Sequence, residues 1–367
     1  MRISIADCRL QRNVRSARFL ICALTLGLAA SNQARAVSLC VSTAVELQEA
    51  LSDASDGGLY SGYDVEIDLV QGTYFAPENG PFLYTSTAAT GQISVMGGWN
   101  SQCDGFSHNA ALTVLDANHN SQVLSIDNSN ADVDVELLTI QNGETFDEGG
   151  GLAINSETAS PGASVYVAFN IIRNNQSFTT GGGVSIYTSG SVNQVDLLTN
   201  VITGNTANDF GAGLVNAANV GVVYITGNTV YGNTAVAVSG SGSLYCCGDA
   251  AAAPAIYANI FWQNTKYGLY TYGTAADLEY NDYGTLSGVT PDQNIGNTSI
   301  NPKFLDAANG DFHLSGTSSL LGYSPPTING VPAGTSTDVS GNYFPQTGKR
   351  DVGAYSETIF TDGFDGD

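Results

Sequence analysis

Four segments of the chain align without gaps around a shared asparagine, and this pattern decides the fold. They are residues 167–175 (VAFNIIRNN), 197–205 (LLTNVITGN), 225–233 (ITGNTVYGN) and 256–264 (IYANIFWQN), with a weaker fifth copy at 135–143 (VELLTIQNG). The lead asparagines, Asn170, Asn200, Asn228 and Asn259, follow one another at intervals of 30, 28 and 31 residues. A period of this length is typical of a solenoid, in which one repeat cannot bury its own apolar face but stacked repeats can.

Two apolar columns flank the asparagine in every copy. Three residues before it are Val135, Val167, Leu197, Ile225 and Ile256, and two residues after it are Ile140, Ile172, Ile202, Val230 and Phe261. Both columns are expected to face a shared interior. The asparagine between them is expected at a bend, where its amide bonds to backbone groups and to the asparagine of the next coil. A cluster of glycines follows at 149–151, 181–183 and 211–213. This register predicts an all-β parallel β-helix and argues against a β-propeller or a sandwich.

Composition supports an all-β chain. Of 367 residues, 43 are glycine, 43% are hydrophobic and only 12% are charged. Disorder requires low hydrophobicity with high net charge, and a helical bundle would be rich in Ala, Glu, Lys, Leu and Arg. Neither class fits this chain.

The first 36 residues have the pattern of a secretory signal peptide. Five arginines up to Arg18 precede a mostly apolar stretch at 19–30, and Ala34-Arg35-Ala36 is a cleavage motif. The apolar stretch is too short for a membrane anchor, and no later stretch is apolar enough to span a membrane. We therefore expect export, with the mature protein secreted or held at the cell surface.

The mature chain is strongly acidic. The whole sequence has a formal net charge of -23 from 11 basic and 34 acidic residues. Removing residues 1–36 takes away six basic residues and one acidic residue, which leaves 5 and 33, or a net charge of -28. A field of that sign repels nucleic acid, which excludes that class of partner.

The early part of the chain resembles a known superfamily. Residues 65–74 (VEIDLVQGTY) resemble the first coil of the right-handed parallel β-helix proteins of the pectin-lyase-like superfamily, secreted bacterial proteins in which this phrase follows a capping helix. Residues 93–99 and 113–117 resemble early coils of the same group, and the likeness covers about 40–290. The resemblance implies a right-handed, single-stranded parallel β-helix, with 44–54 (AVELQEALSDA) as its N-terminal helical cap.

The end of the chain departs from the repeat. Residues 301–304 (NPKF), 310–314 (GDFHL) and 349–355 (KRDVGAY) resemble the choice-of-anchor Q module, although 320–326 (LLGYSPP) differs from the phrase expected there. We therefore divide the chain into a signal peptide (1–36), a β-helix with its cap (37–290), an anchor-like module (291–357) and a tail (358–367).

Four cysteines remain after cleavage: Cys40, Cys103, Cys246 and Cys247. An even number in an exported protein favours disulfides, whereas scattered histidines and the lack of a CxxC motif argue against a metal site. We expect Cys40 to pair with Cys103 and so tie the cap to an early coil. Cys246 and Cys247 either bond to each other or find other partners.

Members of this superfamily cleave or bind polysaccharides, so we looked for residues able to do either. Asp147 and Asp209 each lie two residues before the glycine corner, which places them two coils apart, with Glu148 beside the first. These three carboxylates are candidates for general acid–base catalysis, for a Ca²⁺ site or for a solvated acidic corner. A polysaccharide lyase needs a strong base, often Arg or Lys. The coils contain only two such residues, Arg173 and Lys266, which makes a lyase the weaker hypothesis.

An outward column three residues after the lead asparagine contains Arg173, Tyr231 and Trp262. It predicts an exposed aromatic ladder for sugar rings unless a C-terminal loop covers it. Together these features favour a non-catalytic, monomeric protein that presents a β-helical face to a glycan or another cell surface, with no cofactor except Ca²⁺. The alternatives are a polysaccharide hydrolase or lyase and a structural spacer without a ligand.

Overall fold

The computed structural model describes residues 36–87, 91–128, 131–156, 163–188, 194–217, 221–238 and 240–357. The predicted signal peptide lies outside the described residues except for Ala36, and the tail 358–367 lies outside them entirely. No helix in the described ranges is both long and apolar enough to cross a membrane.

The chain is a parallel β-helix, as the repeat predicts. Each coil passes through sheet 1, sheet 2 and sheet 4, and four coils add a strand of the short sheet 3 between sheets 2 and 4. All strands within these sheets are parallel. Sheet 1 has ten strands: Ala36–Val41, Asp64–Val70, Ile93–Trp99, Val133–Glu136, Ser164–Ala168, Gln194–Leu198, Val222–Thr226, Ala255–Tyr257, Asp277–Glu279 and Gln293–Ile295. The last of these strands follows residue 290, where the sequence suggested the end of the β-helix.

Sheets 2, 3 and 4 complete the coils. Sheet 2 contains Gly72–Phe75, Thr113–Asp116, Thr139–Gln141, Ile171–Arg173, Val201–Thr203, Thr229–Tyr231, Ile260–Trp262 and Asp282–Tyr283. Sheet 3 contains Glu144–Thr145, Gln176–Ser177, Thr206–Ala207 and Thr234–Ala235. Sheet 4 contains Phe82–Ser86, Leu124–Asn128, Leu152–Ser156, Val184–Thr188, Gly213–Ala217, Leu244–Gly248, Leu269–Gly273 and Leu286–Gly288.

The core is the interior of the coil stack. Every member of the two apolar columns predicted from the repeat has no exposed surface. Complete burial of such a side chain contributes about 1.5–3 kcal/mol relative to exposure. The stacking of like residues from coil to coil therefore supplies most of the stabilisation that no single coil could obtain.

A helix covers the N-terminal end of this core. Helix α1 spans Ala44–Ala54 and begins with a capping box in which Thr43 and Glu46 satisfy each other's backbone N–H groups. Its Leu47 and Leu51 are fully buried in the main hydrophobic cluster. The helix is the cap that the sequence predicts.

Two asparagine ladders run along the bends. At the bend between sheets 1 and 2, Nδ2 of each lead asparagine donates to Oδ1 of the next, at 3.2, 3.1 and 2.9 Å from Asn170 to Asn259. The ladder continues through Asn281 and Asn297, which the sequence analysis missed because those coils are shorter. A second ladder occupies the bend between sheets 2 and 3 and contains Asn175, Asn205, Asn233 and Asn264.

The predicted disulfide between Cys40 and Cys103 is confirmed, with Cα atoms 5.9 Å apart. It joins the first strand of sheet 1 to the loop after strand Ile93–Trp99. Of the two alternatives for Cys246 and Cys247, the structure has the bond between the adjacent cysteines. Both residues are buried in strand Leu244–Gly248 of sheet 4.

The C-terminal segment, residues 296–357, folds back along the outside of sheet 2. It contains two small antiparallel pairs, Phe304–Asp306 with Asp311–Leu314 and Thr327–Ile328 with Val331–Pro332, and the 3₁₀ turn Ala307–Asn309. Another 3₁₀ turn, Ala110–Leu112, precedes the second strand of sheet 2. Hydrogen bonds fix the segment to several coils, including Ala354 N to Thr229 Oγ1 at 3.1 Å and Thr335 N to Thr199 Oγ1 at 3.2 Å.

Candidate functional site

The predicted aromatic ladder lies beneath the C-terminal segment. The Tyr231 ring packs against Phe312 at 5.2 Å and against Phe304 at 5.6 Å between centroids. Trp262 packs against a cluster that includes Leu314, Leu320 and Val352. The two residues are therefore only partly exposed, and they do not form the open ladder that the column suggested. The physical reason is burial of apolar surface by a segment distant in sequence.

Arg173 shares this column, but its contacts are those of a structural residue. Its Nε donates to Gln141 Oε1 on the preceding coil, at 2.9 Å. Both residues belong to sheet 2, and the hydrogen bond runs along the stack. This hydrogen bond links two neighbouring coils of the stack.

Asp147 and Asp209 occupy equivalent positions two coils apart, as their register predicts. The backbone N–H of Asp209 donates to Thr179 O at 3.1 Å, and the pairing of Glu144–Thr145 with Gln176–Ser177 fixes the coil before. Two coil spacings of about 4.8 Å separate their backbones by roughly 10 Å. Asp147 is exposed and Asp209 is half-buried.

Glu148 lies at the edge of sheet 4 and directly follows Asp147 in the chain. Its carboxylate accepts a hydrogen bond from the Ser185 hydroxyl on the next coil, at 3.1 Å. We call Asp147, Glu148 and Asp209 the acidic corner. Nowhere among the described residues does a group of three or more His, Cys, Asp or Glu side chains converge so as to hold a metal ion.

An exposed aromatic pair stands next to the acidic corner. Phe146 and Phe178 precede Asp147 and Thr179 on neighbouring coils, and their rings stack at 4.8 Å between centroids. Phe146 is 80% exposed and Phe178 is 43% exposed. Large exposed apolar side chains in contact with one another often mark a place where a partner binds.

The outer surface of sheet 4 continues this aromatic character. The register of its strands brings Tyr245 beside Tyr270, and it brings Cys247 beside Tyr272. Phe210, at the edge of the sheet one coil earlier, lies over Tyr245. We call Phe210, Tyr245, Tyr270 and Tyr272 the tyrosine face.

The rings of the tyrosine face are in mutual contact. The Tyr245 ring lies 3.9 Å from that of Tyr272 at an interplanar angle of 8°, and 4.1 Å from that of Phe210 at 18°. The Tyr270 ring is tilted against Tyr245 at 5.1 Å. All four residues are half-buried. Packing against neighbours fixes the orientation of these rings, so they form a rigid, partly exposed aromatic surface.

Carboxylates border the tyrosine face. Burial is the main cause that raises the pKa of the Tyr272 phenol, and Tyr245, Asp249, Tyr187 and Glu148 raise it further. Burial followed by the neighbouring Tyr270 raises the pKa of Tyr245. The phenols therefore stay protonated near neutral pH and keep O–H groups that can donate hydrogen bonds.

Sequence reasoning missed the tyrosine face because it aligned only the asparagine bends. The signal that could have found it is the pair of phrases LYCCG at 244–248 and LYTYG at 269–273, which share a leucine followed by tyrosine. With both leucines buried, strand alternation places both tyrosines outward.

Comparison of the chain with models of protein families, with curated proteins and with solved structures gives no match.

Proposed function

We propose that the protein is an exported, non-catalytic β-helix that binds polysaccharide on the tyrosine face. Its architecture resembles that of the pectin-lyase-like proteins, and its leader has the pattern of a secretory signal. The C-terminal segment would then correspond to the anchor-like module that closes many secreted β-helix proteins.

The observation that carries this proposal is the set of four interlocked rings on the outside of sheet 4. Aromatic rings present flat apolar surfaces, and tyrosine adds a hydroxyl that can bond to a sugar hydroxyl. Phe210 and Tyr272 cover the two faces of the Tyr245 ring, so a polymer would meet ring edges and hydroxyl groups there and the tilted ring of Tyr270 beside them. The length of the β-helix suits a chain-like ligand better than a small molecule.

Affinity electrophoresis tests the proposal. The mature protein should migrate more slowly in native gels that contain soluble polysaccharides, and Tyr270→Ala should restore most of the lost mobility. Tyr343→Ala is the control, because it removes a tyrosine from the surface of the C-terminal segment, outside the tyrosine face. Unchanged migration of the wild type in every gel would sink the proposal.

A second candidate function is polysaccharide hydrolysis at the acidic corner. The observation in its favour is that the exposed Phe146–Phe178 pair stands next to Asp147 and Asp209, whose backbones are roughly 10 Å apart. Inverting glycosidases place their carboxyl groups about 6.5–9.5 Å apart.

Reducing-end release distinguishes the two functions. A hydrolase should release new reducing ends, and Asp147→Asn or Asp209→Asn should abolish that release without loss of binding, since each change removes only the acid–base function. If the wild type releases reducing ends and either variant does not, the protein is a hydrolase and the non-catalytic proposal is wrong.

A further inference from the structure

We infer that the polysaccharide bound by the tyrosine face carries protonated amino groups. The inference rests on the proposed function, and it names the chemical class of the ligand. Three features of the face carry it: the scarcity of basic residues among the described residues around it, the exposed carboxylates along its edge and the affinity of tyrosine rings for cations.

Basic residues are scarce on and around this face. The five basic residues that follow the signal peptide are Arg173, Lys266, Lys303, Lys349 and Arg350. Arg173 lies on sheet 2, and Arg350 is buried. The two lysines Lys303 and Lys349 belong to the C-terminal segment that covers sheet 2. Of the basic residues that the structure describes, Lys266 lies nearest the tyrosine face: its Nζ is 5.1 Å from the centre of the Tyr267 ring, and that ring is 6.1 Å from the Tyr270 ring. A polyuronate would meet one cation here and a mature chain of net charge -28.

Carboxylates line the same surface. Glu148 accepts its hydrogen bond from the neutral hydroxyl of Ser185, so this bond leaves the negative charge of Glu148 in place. Glu148 and Asp249 are both exposed, and both lie close enough to Tyr272 to raise the pKa of its phenol. An ammonium group bound over the rings would therefore be attracted by both carboxylates.

The rings themselves favour a cation. The face of a tyrosine ring carries partial negative charge, and an ammonium held within about 6 Å of the ring centre gains roughly 0.5–2 kcal/mol. The contact between Lys266 and Tyr267 shows that this chain already makes such an arrangement at the margin of the face. Within the tyrosine face, the Tyr245 ring is stacked between Phe210 and Tyr272, whereas the Tyr270 ring is only tilted against its neighbours. Tyr270 is therefore the ring of this face whose surface is best placed to meet an ammonium group.

Electrophoresis in three gels tests the inference. One gel contains highly deacetylated chitosan, a polymer of protonated glucosamine; the second contains neutral hydroxyethylcellulose; the third contains polygalacturonate. We expect retention to be strongest in chitosan, weaker in the neutral polymer and weakest in polygalacturonate. Retention in chitosan should fall as salt is added, because screening weakens contacts between exposed charges.

Matched variants separate this site from the overall negative charge of the protein. Glu148→Gln and Glu78→Gln remove the same charge, but Glu78 is exposed in the turn before strand Phe82–Ser86, far along the chain from the tyrosine face. We expect Glu148→Gln to weaken the affinity for chitosan about twofold to fivefold, the range of a single exposed charge pair, and Glu78→Gln to leave it unchanged. Tyr270→Ala should weaken it without any change of charge.

The outcomes are distinguishable. Retention in the neutral gel that equals or exceeds retention in chitosan would overturn the inference while leaving glycan binding intact. Equal effects of Glu148→Gln and Glu78→Gln would overturn it as well, since they would show a response to net charge alone. Failure of all three polymers to retain the protein would overturn the proposed function itself.

Discussion

Each bend between sheets 1 and 2 depends on one asparagine and on the residue before it. Asn200 shows the full pattern: its Nδ2 donates to Val167 O at 2.9 Å and to Asn228 Oδ1 at 3.1 Å, and its Oδ1 accepts from Asn170 N at 2.9 Å. The preceding residue, Thr199, adopts a left-handed backbone with φ of 53°. A β-branched residue is unfavourable in that conformation, but the Thr199 hydroxyl accepts from Thr335 N and so holds the C-terminal segment.

Replacing Asn200 by leucine should be strongly destabilising. The change removes the acceptor of Asn170 N–H and the side-chain donor to Val167 O, at about 1–3 kcal/mol for each buried group left unpaired. Asn228 Oδ1 keeps only the bond from the backbone N–H of residue 200. Chemical denaturation should show a loss of several kcal/mol.

The control for Asn200→Leu needs an asparagine outside both ladders. Asn109 lies outside the repeat, but its side chain caps the turn Ala110–Leu112 by accepting from Ala111 N at 2.9 Å. Asn79, exposed in a turn, is the better choice. A midpoint for Asn200→Leu equal to that of Asn79→Leu would contradict the role given to the ladder.

Two elements at the ends of the β-helix are fixed by specific polar and covalent contacts. At the C-terminal end, Asp282 lies in the last strand of sheet 2 with no exposed surface. Its Oδ1 accepts from Ile300 N at 2.8 Å, whereas its buried Oδ2 has no hydrogen-bond partner among the described residues. Burial raises the pKa of Asp282 to about 7.

This raised pKa gives a pH-dependent stability. Between about pH 4 and 7 the folded state holds a proton that the unfolded chain has released, so the free energy of unfolding falls as pH rises through this window. Asp282→Asn should remove on the order of 2–4 kcal/mol of that fall. Part of the slope should remain, because burial also raises the pKa of Asp196 to about 7. Melting curves at pH 4, 5.5, 7 and 8 measure this dependence. If the stabilities of wild type and variant changed equally with pH, Asp282 would not be its source.

At the N-terminal end, the Cys40–Cys103 disulfide closes a loop with a sequence separation of 63. A loop of that length corresponds to about 4 kcal/mol of stabilisation in the chain-entropy model. The double variant Cys40→Ala/Cys103→Ala should therefore lose several kcal/mol, measured by denaturation of exported protein. Equal stability of the oxidised protein and the double variant would show that helix α1 needs no covalent tie.

For the molecule as a whole, the C-terminal segment decides which surface of the β-helix is free. It buries the column of Tyr231 and Trp262 on sheet 2 and leaves the tyrosine face on sheet 4 accessible. Inside the segment, the buried Arg350 stacks on Phe344 at 3.7 Å, and its Nη1 donates to Thr335 O at 3.1 Å. Burial lowers the pKa of Arg350 to about 9.

Trp262→Ala tests this arrangement. If the column bound sugar, the variant would lose retention on polysaccharide and keep its melting temperature. The structure leads us to expect the reverse: a loss of about 1–3 kcal/mol, because Trp262 supports the C-terminal segment, with retention unchanged. Loss of retention at unaltered stability would restore the sugar-binding role of this column.

The sequence alone determined which residues of each coil face the core and which form the bends. Its repeat placed the apolar columns in the core and the lead asparagines at the bends, because stacked coils impose the same inward and outward positions in every copy. It also predicted the cap and the Cys40–Cys103 bond. Only the tertiary structure decided which outward columns meet solvent, because that depends on residues 296–357 packing against strands of sheet 2 that lie far earlier in the chain. The tyrosine face depends likewise on rings from successive coils, which become neighbours only when the coils stack.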